Sequence, residues 1–132
     1  MSDTTTLYPI FDPIAFCGAL LAAPLVVALM FFWILLIPVF AVPYGILPYL
    51  VFGMPVFLFS VTRRPIEPGA FACLALLAHA AFVLCLSVWT ELQPQAQAEP
   101  ILFFALFGLP HAAAWGAAFA ALYRRFYRPL LH

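Results

Sequence analysis

The chain has 132 residues, 67% of them hydrophobic and 8% charged, and its formal net charge is zero. A water-soluble domain keeps roughly a quarter of its residues charged, so five basic and five acidic residues cannot clothe a globule of this size in water. Lipid is the solvent this composition fits. Nucleic acid is excluded as a partner, because five arginines make no basic surface able to track a phosphate backbone.

With no Lys and no Asn against plentiful Ala and Pro, the coding bias points to a bacterial source. The three cysteines, Cys17, Cys73 and Cys85, all sit inside apolar runs. An odd number of thiols with none in a loop argues against a disulfide framework, and they read as small packing residues.

The expected fold is an all-α membrane protein of four transmembrane helices forming a single domain. Residues 1–12 carry acids but no basic residue, so they do not open a signal peptide, and the first apolar run is read as a retained span. That span covers about 13–37, where Pro38 and then Pro43 discourage continuation. The second covers about 44–62, with Pro48 and Pro55 inside it, and stops at Arg63 and Arg64. The third, about 69–90, is about 33 Å long at about 1.5 Å per residue, which matches a hydrocarbon core of about 30 Å. A polar loop leads to the fourth, about 101–122, and the basic run from Tyr123 to Arg128 anchors its end.

Asp12-Pro13, Glu67-Pro68 and Glu99-Pro100 open the first, third and fourth helices alike. Proline suits a first helical position, and an acid beside it complements the positive end of the helix dipole. All five arginines, Arg63, Arg64, Arg124, Arg125 and Arg128, follow the second and fourth spans. With four spans those places share a side, so both termini are expected in the cytoplasm and the chain in the inner (plasma) membrane.

Asp12-Pro13-Ile14-Ala15-Phe16 returns 55 residues later as Glu67-Pro68-Gly69-Ala70-Phe71, and Phe52-Gly53-Met54-Pro55 returns at the same offset as Phe107-Gly108-Leu109-Pro110. Two tandem helical hairpins, related as parallel repeats, would give this pattern, as would chance agreement between Ala/Leu-rich helices.

His79 and His111 lie ten residues inside their spans, about 15 Å deep and near the midplane. An intramembrane ionisable residue is a functional candidate. The two histidines either hold a b-type haem or contact a quinone or pigment, or they bond as neutral groups to each other, to Ser87 or to a carbonyl freed by proline. The last, with no cofactor, is the leading expectation. A metal site of Cys73, His79 and Cys85 fails because six-residue spacing points the side chains in three directions around a helix.

On the fourth span, Gly108, Ala112, Gly116 and Ala120 form a ridge of small residues for close helix packing, against the first span (Ala15, Ala19, Ala23) or another subunit. Beside it runs a bulky stripe of Phe107, His111, Trp115 and Phe119. Pro24, Pro48, Pro55 and Pro110 are candidate hinges. No acid or arginine lies mid-span, no polar ring suggests a channel filter, and no nucleophile is paired with a base.

The leading functional expectation is therefore a small non-enzymatic accessory subunit, packed with other membrane subunits or with itself. The alternatives are a cytochrome b-like or quinone-site subunit using His79 and His111, and a small carrier for an apolar solute.

Overall fold

A computed structural model describes residues 11–31, 37–93 and 99–127. All regular structure among these is helical, and four helical stretches, Pro13–Phe31, Val42–Val61, Pro68–Leu92 and Ile101–Phe126, are long and apolar enough to cross a membrane. We label the helices α1 (Pro13–Phe31), α2 (Ile37–Pro48), α3 (Met54–Val61), α4 (Pro68–Leu92) and α5 (Glu99–Phe126); a π-helical turn, Tyr49–Gly53, joins α2 to α3.

The first two helices divide differently from the expectation. Ile37, read as the end of the first span, instead opens α2, and Pro43 lies within it. Neither Pro38 nor Pro43 ends the helix that contains them. At the other end of the chain, α5 runs a turn past 122 and carries Arg124 and Arg125 in its last turn.

The shared acid-proline openings are chemically unlike. Asp12 Oδ1 accepts from the N–H groups of Ile14 at 2.9 Å and Ala15 at 3.0 Å, a complete N-cap. Glu67 is the N-cap residue of α4 but makes no side-chain cap bond. The helix-opening chemistry therefore differs between Asp12 and Glu67. Glu99 is the first described residue of α5.

Four helices converge on one aromatic layer. Phe16 of α1, Phe57 of α3, Phe71 of α4 and Phe119 of α5 are all at most 3% exposed. Phe119 stacks on Phe57 at 4.7 Å and on Phe71 at 5.6 Å between ring centroids, and meets Phe16 edge-on at 5.2 Å. Phe16 and Phe71, at equivalent places in the repeated motif, thus serve the same neighbour. The other shared motif diverges: Phe52-Gly53 falls in the π turn, whereas Phe107-Gly108 lies in uninterrupted α5.

These contacts set helix direction. Tyr49 meets Trp115 and Phe57 meets Phe119, so the second stretch runs parallel to α5. Phe71 meets Phe119 and Phe82 meets Phe104, so α4 runs antiparallel to it. The start of α1 lies by the end of α5, where the Tyr123 hydroxyl accepts from the Asp12 N–H at 3.2 Å. Arg63, Arg64, Arg124 and Arg125 are consequently exposed at one end of the bundle. Arg63 lies over the Phe59 ring, 4.0 Å from its centroid. Arg128 lies outside the described residues.

The cysteines do not pack the core. Cys17, Cys73 and Cys85 are all exposed on the outer face of the bundle. That face also carries Leu21, Leu25, Leu77, Leu84 and Val88, each more than half exposed. Apolar groups there meet the surrounding medium, so hydrophobicity alone does not tell inner from outer faces in this chain.

Candidate functional site

The two glycines of the small-residue ridge of α5 pack against α4. A methyl group at Gly116 would overlap the Phe71 carbonyl oxygen and lie 2.7 Å from the Ala75 Cβ. A methyl at Gly108 would overlap the imidazole of His79. Ala120 is fully buried. Ala112, between the two glycines, does not close the seam: it lines a cavity.

That cavity has a volume of about 360 Å³, within the range of about 300–1,000 Å³ typical of small-molecule pockets. Its wall is contributed by α2 (Tyr44, Gly45, Pro48), the π turn (Tyr49, Gly53), α4 (Ala75, Ala78, His79, Phe82) and α5 (Phe103, Phe104, Phe107, Gly108, His111, Ala112, Trp115). Helix α1 contributes nothing to the wall. The two sequence-predicted histidines therefore share one cavity, and His111 brings with it Phe107 and Trp115 of the bulky stripe of α5. The fourth member, Phe119, belongs to the aromatic layer.

Local backbone chemistry makes the space. In the π turn the Met54 N–H reaches back five residues to the Tyr49 carbonyl. Pro55, second in α3, has no N–H to offer and its ring crowds the carbonyl four residues earlier. A widened turn just before it relieves that crowding and re-aims the residues it contains. Pro48 and Pro55 thus bracket a departure from α geometry, whereas α1 and α5 continue through Pro24 and Pro110. Opposite the π turn, Gly45 leaves room for Trp115, whose Cη2 would lie 2.8 Å from a Cβ at that position.

The histidines differ in environment. The Nδ1 of His111 lies 2.6 Å from the Phe107 carbonyl oxygen. The carbonyl accepts, so Nδ1 is the donor in this bond. The acceptor is Phe107 rather than Leu106, the carbonyl that Pro110 frees. His79 pairs with neither His111 nor Ser87, whose hydroxyl donates to the Val83 carbonyl at 2.8 Å. The carbonyls of Phe104 and Ala105 are neighbours of its ring. Even so, its Nε2 is buried without a partner of hydrogen-bonding geometry.

Two further groups share that condition. Among the described residues, the buried side-chain polar atoms lacking a hydrogen bond are the Tyr49 hydroxyl, the His79 Nε2 and the Trp115 Nε1. All three residues line the cavity. Tyr49 and Trp115 meet edge to face, 5.1 Å between centroids. Sequence reading missed Tyr49 altogether and took Trp115 as bulk. The only signal available was the flanking Pro48 and Pro55, which mark the turn that aims Tyr49.

A bis-imidazole haem needs both Nε2 atoms facing one gap wide enough for a macrocycle. The imidazole of His79 fills the notch at Gly108, where the close approach of α5 holds the ring between the two helices. The packing of α4 on α5 therefore does not fit two-histidine ligation.

The fold and site define a bundle of four helical stretches long and apolar enough to cross a membrane, with a cavity between the second, third and fourth. The chain matches no protein-family model, no curated protein and no solved structure.

Proposed function

We propose that this protein is a small, non-enzymatic integral membrane protein that binds an apolar small molecule between its second, third and fourth spans. In this reading it lies in a bacterial inner membrane with its arginine-bearing end in the cytoplasm. The single observation that carries the proposal is the cavity of about 360 Å³ whose lining includes every residue with an orphaned buried side-chain polar atom among the described residues. An apolar outer surface serves lipid and partner helices alike, so it lends an accessory-subunit role nothing specific. A carrier role shares the cavity and adds a transport step for which no separate observation speaks.

The test uses durene, a flat methylated benzene, with protein in detergent. A ligand that binds only the folded state raises stability in proportion to ln(1 + [L]/Kd), about 2.7 kcal/mol at a concentration of 100 Kd. Durene is expected to raise the unfolding temperature saturably in the wild type. It should do nothing in Ala112→Phe, which fills the cavity. An equal shift in both proteins would mean that durene acts through the micelle, and the proposal would fall.

A further inference from the structure

We infer, on the basis of the proposed ligand-binding role, that the molecule the cavity takes is a flat ring bearing carbonyl oxygens, of the quinone class, recognised by Trp115 and Tyr49. Three observations converge on this chemistry. An indole N–H can only donate, so the orphaned Nε1 of Trp115 calls for an acceptor. The Tyr49 hydroxyl, also without a partner, supplies a second donor on a ring 5.1 Å away. The rest of the wall is aromatic, with Phe82, Phe103, Phe104 and Phe107 offering ring faces and edges to a planar guest.

Both anchoring residues are more than nine-tenths buried, Trp115 at 4% and Tyr49 at 8% exposure. A buried donor left without an acceptor is destabilising, so each of these atoms favours a guest that supplies one. The two atoms are covered by neighbouring groups, so the wall is apolar. A carbonyl-bearing guest draws them into hydrogen bonds by rotation of the two side chains. A guest without acceptors leaves both donors unpaired, and this difference is the source of selectivity.

Duroquinone and durene test this directly, since both are flat tetramethyl six-membered rings and differ chiefly in the two ring carbonyls. Apparent affinities are read from ligand-dependent unfolding of the full chain in detergent, for wild type, Trp115→Phe and Tyr49→Phe. We expect duroquinone to bind the wild type about ten-fold more tightly than durene. Each variant should lose about three- to ten-fold of quinone affinity, the worth of one neutral hydrogen bond. Durene affinity should stay unchanged, showing that the cavity is intact in each variant.

Equal affinity of the two compounds for the wild type would overturn the carbonyl inference while leaving the ligand-binding role standing. So would a quinone preference that survives in both variants. Failure of durene and duroquinone alike would sink the ligand-binding role itself, and this inference with it.

Discussion

A single methyl group distinguishes the glycines of this chain. At Gly116 an added Cβ meets backbone, the Phe71 carbonyl, which cannot swing aside. We expect Gly116→Ala to destabilise the protein by about 1–3 kcal/mol, read from unfolding in detergent. Gly69 has nothing within 4 Å of its would-be Cβ, so Gly69→Ala should be neutral to slightly stabilising, through helix propensity alone. Matching losses for the two would show that α4 and α5 are not in the close contact described.

The helix-opening acids are separated by the same reasoning. Asp12→Ala removes an acceptor used by two N–H groups and should cost about 0.5–2 kcal/mol. Glu67→Ala removes no cap bond and should stay within about 0.5 kcal/mol. From sequence the two were indistinguishable, because an acid followed by proline does not say whether the side chain turns back onto the first turn.

At the scale of elements, the decisive feature is the π turn between α2 and α3. Its Met54-to-Tyr49 bond spans five residues, so one extra residue is held within the turn and Tyr49 faces α4 and α5. Restoring an N–H with Pro55→Ala removes the steric reason for the widened turn. We expect that variant to favour continuous α-helix, to rotate Tyr49 away from Trp115 and to abolish durene binding without unfolding the protein. Indole fluorescence in a Trp33→Phe, Trp89→Phe background reports Trp115 alone. An unchanged spectrum together with unchanged durene binding would show that Pro55 does not set the turn. The prolines were legible as interruptions, but a helix can answer a proline by kinking, ending or widening, and neighbouring helices choose among these.

At the scale of the whole molecule, the aromatic layer ties each apolar stretch to its neighbours and brings four exposed arginines to one end. The proposed orientation makes this end cytoplasmic. In a background with Cys17, Cys73 and Cys85 replaced by Ala, cysteines placed at Arg64 and Arg125 should react with a membrane-impermeant maleimide from the cytoplasmic side only. One at Glu91, near the far end of α4, should react only from the other side. Labelling of Arg64→Cys and Arg125→Cys from opposite sides would contradict the helix directions as well as the orientation.

What the residues determined unaided is the presence of four helical stretches long and apolar enough to cross a membrane, with Arg63, Arg64, Arg124 and Arg125 at one end of the bundle. Composition and the linear placement of charge are enough for that, since long apolar runs satisfy their backbone within helices and the arginines follow the second and fourth of them. His79 and His111 were also marked by depth alone. Only the tertiary structure decided which faces meet. Inner and outer surfaces here are equally apolar, so no amphipathic stripe told Cys73, on the outside, from Ala75, two residues on and buried against α5. For the same reason the partner of the α5 ridge, the role of Tyr49 and the cavity joining the two histidines stayed hidden: each arises where side chains from separate helices interlock, and a pattern read along one helix carries no record of the others.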